Sequence, residues 1–399
     1  MRKIQFNYNL NIKLYSIYYI SSNALFIWPI LIIFLQSKGL SILQIMIINS
    51  IESLIAIILQ IPTGIYADKI SKKNSIIIGL NLKIISFILY IFSNSFSLII
   101  FASIFYCISD SFISGADSAL YFESIKLSNN ISKYDKNISN LYSLNFYASA
   151  IISIFSSILY IQNKDLPLII SILFLFIALI ISLFFKDTKN INIKKDNKFF
   201  KIKDDLIKPT KYIIKNLNIF YVIILYIVFT FFISNMNYIS QLYLENIKIP
   251  ILYFGFIYFI LNIISAISSK FSHNFNNKFN NQSINIILIY ISICLFCMGS
   301  IQEYYGILIL FLSRISAGLI WPILETKINK NINIQERTTI LSIKTFMLNI
   351  ITVILDPVIG IIIDKTNIYN IYFILGVSLT IISILLKIIF MKFNKNYLT

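Results

Sequence analysis

Apolar runs of about twenty residues recur along almost the whole chain, each closed by a short polar break. A helix rises about 1.5 Å per residue, so one such run crosses the roughly 30 Å hydrocarbon core of a bilayer. Twelve can be read, at 13–36, 41–66, 75–93, 96–125, 139–161, 167–185, 218–242, 250–271, 284–302, 304–327, 338–363 and 369–391. Hydrophobic residues make up 57% of the 399 and charged residues 13%. A water-soluble fold needs a polar skin that this composition does not supply. Soluble enzymes, disulfide-stapled scaffolds and disordered chains are thereby excluded. The expected fold is all-α and integral to the membrane, with twelve transmembrane helices. The first run is too long for a cleaved signal peptide and is expected to stay in the mature protein.

Charge sets the expected orientation. With both termini in the cytoplasm, the outer connections carry only Lys38, Lys164, Lys248 and Lys365, and most of the 34 Lys and Arg fall on the inner side. That bias is the positive-inside pattern of a multi-pass protein of the cell membrane. It also explains the net charge of +17 without nucleic acid. Lys186 to Lys215 form the longest polar break, with ten Lys and four Asp, and read as a basic linker lying against anionic lipid. The break divides the chain into an N-terminal six-helix bundle (1–186), the linker (187–217) and a C-terminal six-helix bundle (218–399). Weak internal matches support a parallel repeat. Ser22-Asn23 recurs as Ser234-Asn235, Gly39 to Leu43 recurs as Lys248 to Leu252, and Gly115 recurs as Gly318, all at offsets near 200.

After the second span comes Gly64-Ile-Tyr-Ala-Asp68-Lys69-Ile-Ser71-Lys72-Lys73. It resembles the signature of the major facilitator superfamily between helices 2 and 3, G-x-x-x-D-[RK]-x-G-[RK]-[RK], with Ser71 in place of a glycine. Gly64 and Asp68 lie one helical turn apart on one face. Glycine there permits close helix approach. Asp68 suits the positive end of another helix, and Lys69, Lys72 and Lys73 suit lipid headgroups. Arg337-Thr-Thr-Ile-Leu-Ser342 resembles the opening of helix 11 in bacterial members. Ser114 to Glu123 resembles a stretch of helix 4 found in drug-efflux-like members. The resemblance implies two pseudo-symmetric bundles that rock to give alternating access. Helices 1, 4, 7 and 10 would line a cavity, and Gly64, Asp68, Lys69, Lys72, Lys73 and Arg337 would form the gating motif. The fifth span carries Ala148, Ser149, Ser153, Ser156 and Ser157 but lacks the Gly/Pro pattern of the superfamily's drug:proton antiporters.

Charges inside a span are costly unless they face water or a partner, which makes them candidates for function. They are Glu52, Lys83, Asp110, Asp117, Arg314, Lys344 and Asp356. Asp110, Ser114, Asp117 and Tyr121 recur at steps of four, three and four, one face of a continuous fourth helix. Asp110 and Arg314 lie at depths that agree within about one turn. One expectation is therefore a pair joining the halves, with Asp117 as the protonatable group. The other is a static pair of Asp117 with Lys83. Glu52, Lys83, Lys344 and Asp356 read as interface charges, with Asp356-Pro357 a kink carrying a wet carboxylate. Asn23, Asn235, Tyr238 and Gln241 add uncharged polar contacts. Trp28-Pro29 and Trp321-Pro322 set a large ring beside an expected kink.

Cys294 and Cys297 form a C-x-x-C without a second ligand pair, and His273 is the only histidine. No metal, cofactor or enzyme activity is expected. No G-x-x-x-x-G-K-[ST] run is present to bind ATP. The expected function is secondary transport of a small molecule by a monomer in contact with membrane lipids, as proton-coupled efflux of amphipathic, drug-like compounds. An uptake permease for a metabolite or organic anion is the alternative, and a non-transporting sensor or scaffold is the remote one.

Overall fold

The computed structural model describes residues 2–128, 134–188, 217–301, 303–331 and 337–393. The expected linker (187–217) lies almost wholly outside the described residues. The first span comprises α1 (Arg2–Ser22) and α2 (Leu31–Ser37), joined through a 3-10 turn at Trp28–Ile30. Spans 2 and 3 are α3 (Ile42–Lys69) and α4 (Lys72–Phe92). Span 4 is divided into α5 (Phe96–Ile113) and α6 (Ala116–Leu127), and α7 (Tyr134–Gln162) and α8 (Leu166–Leu183) follow. Spans 7 to 12 are α9 (Leu217–Asn246), α10 (Ile251–Phe279), α11 (Ser283–Ser300), α12 (Gly306–Asn331), α13 (Arg337–Lys365) and α14 (Ile368–Phe393). Among the described residues, eleven stretches are long and apolar enough to cross a membrane. The first of the twelve expected spans is the one that falls short, because its apolar helical piece, Trp28–Ser37, is too short to cross.

The chain forms two compact units. One holds residues 1–194 with 250–259, and the other holds 195–249 with 260–399. In the first, α4 lies along α5 and α8, and α1 lies against α6 and α8. In the second, α11 lies along α14 and α12, and α9 contacts α12, α13 and α14. The seam between α9 and α13 is oily, with Ile219, Ile223 and Ile227 set against Ile343, Met347, Leu348 and Ile351.

Both interruptions fall in the first unit, and neighbouring serines meet their backbone needs. Within hydrocarbon, a backbone group that leaves a helix must find a partner in the protein. At the break in span 1, the amide of Phe26 donates to Ser171 Oγ of α8 at 2.8 Å. The carbonyl of Phe26 accepts from Ser156 Oγ of α7 at 2.5 Å. At the break in span 4, Gly115 has φ of +82°, a conformation that side chains disfavour. The carbonyl of Phe112, two residues before the break, accepts from Ser75 Oγ of α4 at 2.7 Å. The serines of the fifth span therefore do more than allow close packing.

Local capping places the remaining ends. Ser41 and Gln44 form a capping box at the start of α3. Ser71, the departure from the signature, caps α4: its side chain accepts from the Asn74 amide, on an extended backbone that does not need glycine. The turns before α3 and α10 match. Gly39 and Lys248 both have positive φ. Gly39 N donates to Gln36 O and Leu40 N to Leu35 O, while Lys248 N donates to Glu245 O and Ile249 N to Leu244 O. Both turns are Schellman motifs, which satisfy the last carbonyls of the preceding helix.

Candidate transport sites in the two bundles

In the first unit the charged centre is Lys83 of α4. Its ammonium lies 2.6 Å from Asp110 of α5, with the lysine side chain 8% exposed and that of Asp110 46% exposed. Asp110 is therefore neutralised on one side and open on the other. The same ammonium stands 5.0 Å from the centre of the Tyr106 ring, one turn before Asp110. Tyr106 meets Trp28 edge to face at 5.9 Å and stacks on Phe87 at 6.1 Å. Trp28, in the break of span 1, keeps 36% of its surface. A carboxylate with a free side beside two rings can hold a cation through charge and π attraction. Glu52 lies close by on α3, where its carbonyl accepts from Cys107 Sγ at 2.9 Å.

The expectation of one polar face along span 4 is corrected. The backbone leaves the helix at Ser114-Gly115, so the period that joined Asp110 to Tyr121 does not run through. Ser114 is exposed at the break. Asp117 stands in the first turn of α6, half-buried, and accepts from the Ser118 amide at 2.6 Å. A carboxylate is favoured at a helix N-terminus. Tyr121 turns into the core, 3% exposed and stacked on Tyr15 at 4.2 Å. Lys83 takes Asp110 as its partner, not Asp117. Asn23 is exposed at the other break and donates to the carbonyl of Tyr19 at 2.8 Å.

The start of α4 corrects a second expectation. Lys72 does not reach for lipid: it is buried and bonds both oxygens of Glu123, at 2.8 and 2.9 Å. Thr188 donates to the same carboxylate at 2.5 Å. Lys73 donates to the carbonyl of Leu183 at 2.6 Å. The basic arm of the signature thus ties the start of α4 to the ends of α6 and α8. The close approach expected at Gly64 is absent, since no described atom lies within 4 Å of where a Cβ would stand. The side chains of Asp68, Lys69 and Arg337 lie outside the described residues.

The second unit repeats the chemistry with different connections. Lys344 of α13 is 6% exposed and stands 3.6 Å from the centre of the Tyr226 ring on α9. Tyr226 meets Trp321 of α12 edge to face at 5.4 Å. Each unit therefore holds a Lys–Tyr–Trp triad. Asn235 donates to Asp356 at 3.3 Å and to the carbonyl of Phe231 at 3.1 Å. Asp356 is 5% exposed, so the wet carboxylate expected beside Pro357 is a buried one. Gln241 is buried, Tyr238 half-buried, and Arg314 half-buried with its carbonyl accepting from Ser265 Oγ at 3.4 Å. Tyr106, Glu123 and Tyr226 were missed in the sequence. The signal for Tyr106 was its place one turn before Asp110. Glu123 and Tyr226 carried no comparable signal.

Comparison with known proteins agrees with this architecture. The family model described as Major Facilitator Superfamily matches residues 14–354. An uncharacterized MFS-type transporter, YxaM of Bacillus subtilis (strain 168), is 33% identical over 88 residues, which are 22% of this chain and 22% of that relative. The chain thus spans about a fifth of the curated relative it matches. Among solved structures, the nucleoside transporter NupG superposes with a TM-score of 0.75 at 15% identity, covering 96% of this chain and 99% of that one. A POT family transporter in complex with 5-aminolevulinic acid superposes with a TM-score of 0.76 at 14% identity, covering 96% of each chain. These likenesses concern the fold. With the family model covering most of its length, the chain belongs to the major facilitator superfamily.

Proposed function

We propose that this protein is a secondary active transporter that exports amphipathic organic cations across the cell membrane in exchange for protons. The observation that carries the reading is the Lys83–Asp110 pair, whose carboxylate keeps one side open beside Trp28 and Tyr106. A cationic substrate competes with Lys83 for Asp110, and its apolar body packs on the two rings. Asp117 exchanges the proton. The two bundles alternate access by rocking, as the family membership suggests. The chain works as a monomer embedded in lipid, with both termini in the cytoplasm, as the distribution of Lys and Arg suggests.

The test is dye accumulation in a transporter-deficient host expressing the protein. Cationic dyes are expected to fall in the cell, Asp110→Asn to abolish the effect, and Asp117→Asn to abolish its dependence on the proton gradient. Unchanged accumulation of every dye would remove the export reading. Concentrative uptake of an organic anion, lost on Arg314→Ala, would replace it with the permease reading.

A further inference from the structure

The second unit contains a carboxyl that the proposed transport chemistry does not use. Asp356 sits on α13 above the oily α9–α13 seam, with 5% of its surface exposed. Its one hydrogen bond is the 3.3 Å contact from Asn235 Nδ2, a donor shared with the carbonyl of Phe231. Asn235 is itself 3% exposed, and its Oδ1 is buried with no donor. Two oxygens on adjoining side chains thus want positive charge or a proton. Asp110 and Glu123 in the other unit differ, because Lys83 and Lys72 neutralise them.

No described cation lies within ion-pair distance of Asp356. Among the described residues, the elements packed most closely against α13 are α9 and α14. On α9 the one acidic group is Glu245, ten residues from Asn235 and about 15 Å along the axis. On α14 the cation Lys387 lies roughly a further three turns inward than the level of Asp356. The phenols on these helices are Tyr221, Tyr226, Tyr238 and Tyr243 on α9, and Tyr369 and Tyr372 on α14. Phenols are uncharged at neutral pH. On α13 itself, Lys344 is about 18 Å away over Tyr226, Asp364 is two turns outward, and Lys365 is exposed about 14 Å outward. An ionised carboxylate in such surroundings lacks the countercharge that a buried charge requires.

We infer that Asp356, oriented by Asn235, is a proton-binding site of the C-terminal bundle. A proton needs only one of the carboxyl oxygens, whereas a metal ion needs more oxygens than this pair offers. The Asn235 amide fixes one oxygen and leaves the other for the proton. The inference adds to the transport reading without depending on it, because the proton is read on the protein without substrate.

The experiment is infrared difference spectroscopy of the full-length protein in lipid nanodiscs, with pH stepped at fixed sodium. Wild type is expected to show a protonated-carboxyl C=O band that bleaches at alkaline pH. Asp356→Asn should lose that component, and Asp117→Asn should retain it. Asn235→Ala, which leaves the carboxyl in place, should shift the band as the amide hydrogen bond is lost, and so provides a reading if Asp356→Asn does not fold. A band unchanged in Asp356→Asn, or unshifted in Asn235→Ala, would overturn the inference. So would a band removed by sodium at constant pH, which would assign the site to a metal ion.

Discussion

Gly115 and Gly318 occupy matching places in the two halves of the sequence, yet they serve opposite ends. Gly115 adopts φ of +82°, ends α5 and opens α6. Gly318 stays inside the continuous α12, where a Cβ would strike the Ser265 carbonyl and come within 2.7 Å of the Ser268 side chain. One glycine breaks a helix, and the other lets two helices touch. The asparagines differ in the same way. Asn23 and Asn235 each donate to the carbonyl four residues earlier, but Asn23 is exposed at a break while Asn235 is buried in an unbroken helix against Asp356. The first unit is opened at spans 1 and 4, and the second runs straight through spans 7 and 10. A sequence repeat can thus preserve residue identity while the local backbone departs. The turns before α3 and α10 show the converse, since Gly39 and Lys248 differ in chemistry and share one conformation.

The comparison can be broken first at the starts of spans 3 and 9. Lys72 anchors span 3 by a buried ion pair, whereas Ser283 anchors span 9 by hydrogen bonds to Asn276 and the Asn280 carbonyl. Lys72→Ala strands Glu123 and is expected to cost about 3 kcal/mol. Ser283→Ala should cost about 1 kcal/mol. Detergent melting curves of both variants rank them. Equal losses would show that the two ends are held alike.

The glycine contrast comes next. Gly318→Ala crowds α10 and is expected to cost about 2 kcal/mol. Gly115→Ala meets no neighbour within 4 Å and pays only for its backbone, about 1–2 kcal/mol. Asparagine separates the causes, because it tolerates positive φ but adds bulk. Gly115→Asn should melt near wild type, and Gly318→Asn well below Gly318→Ala.

Serine supplies a sharper test. Ser156→Ala removes the donor to the interrupted backbone of span 1 and should cost about 1–2 kcal/mol, because the Phe26 carbonyl is left buried without that donor. Ser292 in α11 bonds only the Leu288 carbonyl of its own helix, which keeps its helical partner. Ser292→Ala should therefore fall within about 0.5 kcal/mol of wild type, as back-bonding serines contribute little. Hydrogen exchange at residues 24–28 should quicken in Ser156→Ala alone.

The smallest effect is a gain. Lys248→Gly relieves a lysine in the left-handed region and is expected to stabilise by about 1 kcal/mol, bringing the turn before α10 to the chemistry of the turn before α3. A loss of stability instead would mean that the Lys248 side chain contributes contacts outweighing its strain.

Much of the architecture was legible from sequence for a one-dimensional reason. Bilayer thickness sets the length of each apolar run, and a polar break has nowhere to go but an end. The superfamily signature lay in ten consecutive residues and needed no tertiary information. What the tertiary structure alone decided is which side chains face one another. Counting helical steps placed Tyr121 with Asp110, but the backbone departs at Gly115, and Tyr121 stacks on Tyr15 instead. Depth arguments offered Lys83 to Asp117, and helix rotation gave it to Asp110. Lys72 read as a lipid anchor because it follows a helix end, yet Glu123 waits for it on another helix. Pairing depends on the azimuth of each helix and on where its hydrogen bonding stops. Neither is carried by the spacing of residues along one strand of sequence, because both are set by neighbours that lie tens of residues away.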